Sequence, residues 1–226
     1  MIKAVIFDLD NTLLDFYKVK HLSIDAATKA MIEAGLDLPE EEIKKGISKI
    51  YDKWGIEYDY VFEEYMKEFF GKIDWKVVAN AIIAYRRVRD SLMQPYSGVS
   101  STLMKMKKQG MQLAIVSDAP SLRAWLRLTV MKLDDFFDVV VAYDDTKQYK
   151  PSELPFKAAL EKLGVKPEET LMVGDNIDRD IMGAKKLGMK TCFAKYGHIK
   201  GWSGKSQEHN ADFEAEQFED ILNFVV

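Results

Sequence analysis

From Gln112 to Ala194, short apolar runs alternate with helical segments, and that rhythm leaves few folds open. Residues 112–116 read as a strand followed by a helix over 122–131. Residues 137–142 read as another strand, followed by the polar stretch 143–149 and a helix through Phe156, Ala159, Leu160 and Leu163 that Gly164 closes. Residues 170–174 and 190–194 are two further strands, with a helix over 177–187 between them that ends at Gly188. A fifth run, Ala4 to Phe7, opens the chain. Continuously apolar runs of this length suit strands buried on both faces. Strands separated by helices of ten or more residues predict a parallel sheet built from right-handed crossovers. The remainder, a polar loop over 197–210 and a helix near 216–224, adds no strand.

The rhythm breaks once, directly after the first strand. Leu22, Ala26, Ala30 and 32–34 mark the apolar face of a helix ending at Gly35. Pro39 and the acids Glu40, Glu41 and Glu42 open a second helix, which runs through Ile43, Ile47 and Ile50 to Trp54. A third spans 61–70, and a fourth 75–88 through Val78, Ile82 and Tyr85. The expected organisation is therefore an α/β domain of residues 1–16 and 93–226, interrupted by an all-helical insert of residues 17–92. An insert at that point would lie above the carboxyl edge of the sheet, where it would cover a site.

With 47% hydrophobic and 30% charged residues in 226, the chain has the material for a large core and a solvated surface. A net charge of −4 carries no basic signature, which argues against nucleic acid as a partner. Cys192 is the single cysteine, so an internal disulfide is excluded and a reducing compartment fits. No apolar run has the length of a membrane span, and Met1-Ile2-Lys3 does not begin a signal peptide. A cytoplasmic protein without membrane attachment is expected; oligomeric state leaves no trace in the sequence.

Polar residues gather where strands end: Asp8, Asp10, Asn11 and Thr12 after the first, Ser117 and Asp118 after the second, then Lys150, and finally Asp175, Asp178 and Asp180. Ligands of parallel sheets collect at that edge. If extended geometry continues past the first strand, Asp8, Asp10 and Thr12 share a face. Carboxylates converging there repel one another unless a cation sits among them. The segments offer oxygen ligands without histidine or cysteine, which favours a hard ion such as Mg²⁺ over zinc.

In this ordered set the sequence resembles the haloacid dehalogenase superfamily of aspartate-nucleophile phosphohydrolases. Asp8-Leu9-Asp10-Asn11-Thr12 matches its first motif, DxDxT; Ser117 matches the second, Lys150-Pro151 the third, and Gly174-Asp175 with Asp180 the fourth. The resemblance implies a doubly wound core with an inserted helical cap, and a Mg²⁺-dependent phosphatase acting on a small phosphorylated metabolite. It implies Asp8 as the nucleophile that forms an aspartyl-phosphate and Asp10 as general acid and base. Asp8, the Asp10 carbonyl and Asp175 would hold Mg²⁺. Thr12, Ser117, Asp118 and Lys150 would face the phosphoryl group, with Asp180 behind them orienting a metal water or Lys150. Asp178 reads as a helix N-terminal acid. Asp118 stands where many relatives carry Asn, which adds a negative charge near the phosphoryl site. Phosphomutase or dehalogenase-like activity is the alternative, although dehalogenases lack the second aspartate that Asp10 supplies; a non-catalytic nucleotide-binding module is a more distant one. Tyr17, His21, Tyr51, Trp54, Tyr58, Tyr85, Arg86 and Arg89 are the cap residues available to select a leaving group. His198 and His209 read as surface residues, and Trp202 as packing locally.

Overall fold

The computed structural model describes residues 1–201, 203 and 210–225; His209 and Trp202 lie outside that set. Strand β1 (Ala4–Phe7) is followed by four helices, α1 (Phe16–Glu33), α2 (Glu40–Trp54), α3 (Val61–Phe70) and α4 (Trp75–Leu92). Then come α5 (Val99–Lys108), β2 (Gln112–Val116), α6 (Ser121–Val130), β3 (Val139–Val141), α7 (Tyr143–Thr146), α8 (Glu153–Leu163) and β4 (Thr170–Gly174). A wide turn (Ile177–Ile181) runs into α9 (Met182–Lys185), and β5 (Lys190–Ala194), β6 (Phe213–Ala215) and α10 (Leu222–Val225) finish the described chain. It divides into two compact units, residues 1–15 with 94–226 and residues 16–93.

In the first unit the strands form one parallel sheet in the order β3-β2-β1-β4-β5-β6. All four residues of β1 are sealed from solvent, because successive side chains point to opposite faces and both faces are covered. On one face Ala4 and Ile6 join Phe156, Ala159, Met172 and Ala184. On the other, Phe7 stacks on Phe218 with ring centroids 5.6 Å apart. Where the insert leaves and re-enters this unit, Leu14 bridges Pro95 and the Tyr96 N–H donates to the Leu13 carbonyl at 2.8 Å.

The sixth strand, β6, is an addition to the sequence reading. Three residues alternating in burial carry too little periodicity to signal a strand. Its place is fixed by a side chain: Asp212 accepts from the Thr191 N–H and hydroxyl, both at 2.9 Å, and so ties the edge to β5. At the other edge, β3 is shorter than the apolar run 137–142, with three residues paired to β2. The stretch 177–187 is not one regular helix. Its first turn is π-helical, with the Ile181 N–H reaching back five residues to the Asn176 carbonyl.

In the second unit, the Ile43–Ile47–Ile50 stripe of α2 packs with Val61, Phe62, Tyr65 and Met66 of α3 and with Val77, Val78 and Ala81 of α4. Asp74 caps α4 by accepting from the Lys76 and Val77 N–H groups. The buried face of α1 differs from the expected one. Val19, Ser23, Ala27 and Met31 point inward, whereas Leu22 is 39% exposed and Ile32 37%. Of the aromatic cap candidates, Tyr51 is buried in this core, Tyr58 and Tyr85 pack against it, and Trp54 is exposed. Lys20, also buried, donates to the Ile56 carbonyl at 2.8 Å and lies 4.0 Å above the Tyr51 ring. No helix among the described residues is long and apolar enough to cross a membrane.

Candidate active site

The sheet order places β1 between β2 and β4, with Phe7 level with Ile115 on one side and Val173 on the other. Asp8 therefore leaves β1 between the ends of β2 and β4, which deliver Ser117 and Asp175. The connections leading away from β1 and β4 run to opposite halves of the sheet, which makes this crevice a topological switch point.

Extended geometry ends at Asp8. The Leu13 N–H donates to the Leu9 carbonyl at 2.9 Å, Asn11 takes a left-handed conformation with φ 61°, and Leu9 and Leu13 are buried. The shared face expected for Asp8, Asp10 and Thr12 is thus replaced by a turn. Asn is among the few non-glycine residues that tolerate such a φ.

Asp8, Asp175 and Asp180, all buried, bring one carboxylate oxygen each within 4.8 Å of the others. The Lys150 ammonium lies 2.5 Å from Asp8 Oδ1 and 2.7 Å from Asp180 Oδ1, and donates to the Val116 carbonyl at 3.0 Å. Burial works against the lysine's charge, but the carboxylates of Asp180 and Asp8 outweigh it and hold its pKa well above the usual value. The acids feel the opposite pressure. Burial raises Asp175 strongly, and the charges of Asp8 and Asp180 add to it. Asp180 is pushed up to about 6 by burial, with Lys150 opposing the rise. Neither Asp175 oxygen makes a hydrogen bond of good geometry, although the Ser203 side chain partly offsets the rise. Three carboxylates crowded together, two of them on one lysine, form a donor set that fits a hard divalent cation.

Around this ring, the Asp10 carboxylate stands apart and pairs with Arg127 of α6 at 3.0 Å. Thr12 is fully buried, and among the described residues its hydroxyl has no hydrogen-bond partner. The Ser117 hydroxyl accepts from the Ala119 N–H at 3.2 Å. Asp118, expected as a substrate contact, has both oxygens engaged within the protein: Oδ1 accepts from the Lys150 N–H at 2.8 Å and Oδ2 from Arg179 Nη1 at 3.1 Å.

Several supporting residues escape a motif reading. Arg127 and Arg179 sit inside helical patterns, where arginine reads as surface. The segment after β5 also reaches the site. The Tyr196 hydroxyl donates to the Thr12 carbonyl at 2.9 Å, and His198 Nδ1 donates to the Asp175 carbonyl at 3.0 Å, so His198 is not a surface residue. Gly197 passes so close to the Asn11 carbonyl that a Cβ would collide with it, and a Cβ on Gly174 would collide with the Asp180 side chain. A glycine directly before Asp175 was the one such signal visible in the sequence.

A family model described as haloacid dehalogenase-like hydrolase matches residues 5–194. The glyceraldehyde 3-phosphate phosphatase of Methanocaldococcus jannaschii is 33% identical over 225 residues, covering 100% of this chain and 97% of that protein. The pyrophosphatase PpaX of Halalkalibacterium halodurans is 37% identical over 160 residues, 69% of this chain and 73% of the relative. Among solved structures, a haloacid dehalogenase-type phosphatase from Thermococcus onnurineus superimposes with a TM-score of 0.69 at 25% identity, over 99% of this chain and 98% of that one. The motif order, the acid ring at the switch point and these likenesses agree: the chain belongs to the haloacid dehalogenase-like hydrolases, and within them it is a phosphatase.

Proposed function

We propose that the protein hydrolyses a small phosphate monoester through a phosphoryl group carried transiently on Asp8, with a triose phosphate as the first substrate to test. The observation that carries this reading is the buried Asp8–Asp175–Asp180 ring with Lys150 in contact with Asp8. The substrate suggestion comes from the full-length likeness to a glyceraldehyde 3-phosphate phosphatase. The likeness to a pyrophosphatase makes inorganic pyrophosphate the second compound to test.

Lys150 orients the Asp8 carboxylate, whose free oxygen attacks phosphorus while the leaving oxygen departs on the opposite side. Asp10, positioned by Arg127, must enter the cycle protonated; it gives that proton to the leaving oxygen and, now a carboxylate, takes one back from the water that hydrolyses the acyl phosphate. The hydroxyls of Thr12 and Ser117 and the Lys150 ammonium bind the phosphoryl oxygens, whose charge they offset as the bond order changes. Asp8, Asp175 and the Asp10 carbonyl would hold Mg²⁺, which would supply charge neutralisation that lets an anion approach a carboxylate. Asp180 positions Lys150 from behind. The helical unit corresponds to the family's cap domain, and choice of leaving group is assigned to it.

The test is a screen of phosphate esters and pyrophosphate, scored by phosphate release with Mg²⁺ present. Asp8→Asn is expected to lower turnover by at least about a thousandfold with an unchanged melting temperature. A folded Asp8→Asn protein that still turns over normally would overturn the mechanism. Phosphate moved between positions of one sugar, without release, would mark a phosphomutase instead.

A further inference from the structure

The loops after β2, before α8 and after β4 each carry part of the site, and one carboxylate touches all three. Asp118 follows Ser117, its Oδ1 accepts from the Lys150 backbone N–H at 2.8 Å, and its Oδ2 accepts from Arg179 Nη1 at 3.1 Å. Arg179 is anchored in turn by its own N–H, which donates to Asn176 Oδ1 at 2.9 Å and fixes the residue beside Asp180. Because the Lys150 ammonium serves Asp8 and Asp180, the position of its backbone decides where that ammonium falls.

Holding the Lys150 N–H requires an acceptor at position 118, and a neutral amide oxygen would do that as well as a carboxylate. The charge therefore needs its own account. It adds another carboxylate to a region that already buries three and must receive an anion. The Lys150 ammonium contacts Asp8 and Asp180, and Asp118 acts on it only as a weaker, more distant charge. Arg179 is half-exposed, always protonated, and carries a planar set of donors suited to a carboxylate.

We propose that Asp118 and Arg179 form a charge-matched pair: Asp118 fixes the Lys150 loop, and Arg179 keeps the Asp118 carboxylate from repelling the phosphoryl group. This rests on the phosphatase reading above. Both are positioning residues, and they are useful only together. Removing the arginine alone leaves an unbalanced negative charge beside an anion site, whereas removing both charges leaves the tie intact.

Four proteins test it: wild type, Arg179→Gln, Asp118→Asn and the double variant. KM and kcat are measured for the best ester of the screen, with the inhibition constant of inorganic phosphate. Arg179→Gln is expected to raise both KM and the phosphate inhibition constant by about tenfold, with a smaller effect on kcat. In the Asp118→Asn background the same substitution is expected to change both by less than about threefold. Equal factors in the two backgrounds would overturn the pairing, because an arginine that packs or touches substrate directly loses as much in either. Urea midpoints check that each variant is folded. Should Arg179→Gln not fold, Arg179→Lys keeps the charge and is expected to stay within about threefold of wild type in KM; a tenfold rise there overturns the proposal equally. Wild-type protein that hydrolyses no ester and binds no phosphate would remove the phosphatase reading itself, and this inference with it.

Discussion

Two glycines set the tolerance of the site at the scale of single residues. Neither Gly174 nor Gly197 needs a left-handed backbone; both are confined by what stands opposite them. A methyl group on Gly197 meets the Asn11 carbonyl, a backbone atom that cannot swing aside. Gly197→Ala is therefore expected to lower stability by about 1–3 kcal/mol, read as a urea midpoint, and to lower turnover further by displacing the Asp8–Thr12 turn. Wild-type stability and rate in that variant would show that the loop yields freely. Asp8, Ser117 and Asp175 were legible in the sequence because each follows an apolar run, and Lys150 and Asp180 because they complete the motif order that those three begin. Arg127 and His198 were not. Their partners, the Asp10 carboxylate and the Asp175 carbonyl, are more than 20 residues away or on the backbone, and no local pattern encodes such a contact. Cys192 belongs here too. Burial pushes its thiol up to about 12, so the folded protein is expected to resist thiol reagents at pH 8 and to react only on unfolding. Rapid labelling of native protein would contradict that burial.

Elements were readable in proportion to their length and burial. Strands β1, β2, β4 and β5 each hold a buried run of three or more residues and appear where the sequence puts them, whereas β6 is three residues held at an edge by Asp212. Helix α1 shows a subtler failure. It carries apolar residues around much of its circumference, so the hydrophobic pattern points to Leu22 and Ile32, whereas Ala27 and Met31, both fully buried, form the inner face. Small and polar residues such as Ala27, Ser23 and Thr28 occupy that face, where α1 packs along α4, and they mask it from a hydrophobic count. Two substitutions separate the readings. Met31→Ala is expected to cost about 2–5 kcal/mol in chemical unfolding, and Leu22→Ala less than about 1 kcal/mol. The reverse order would restore the face expected from the sequence.

For the whole molecule, the acid ring makes stability depend on pH, and on the cation proposed for it. Asp180 is pushed up to about 6, chiefly by burial, and Asp175 is raised as well. A carboxyl whose pKa is higher folded than unfolded stabilises the fold below its unfolded value, here near 3.8, and that contribution is lost as the pH climbs through about 6. Metal-free protein should therefore lose this stabilisation over that window. On the proposed Mg²⁺ site, the cation would compete with the protons that the raised Asp175 and its neighbour Asp180 hold, so the melting-temperature difference between Mg²⁺-loaded and EDTA-treated protein is expected to widen with rising pH. A difference independent of pH would separate the ring from metal binding. The Leu14–Pro95 bridge has a consequence of another kind. It closes the core's chain before the insert begins, so the sheet meets residues 16–93 as a loop whose ends are already joined. The entropy of such a loop grows only slowly with its length. The insert can therefore be lengthened, shortened or replaced with little thermodynamic effect on the strand that bears Asp8, and the selectivity proposed for it can change apart from the chemistry proposed for the core.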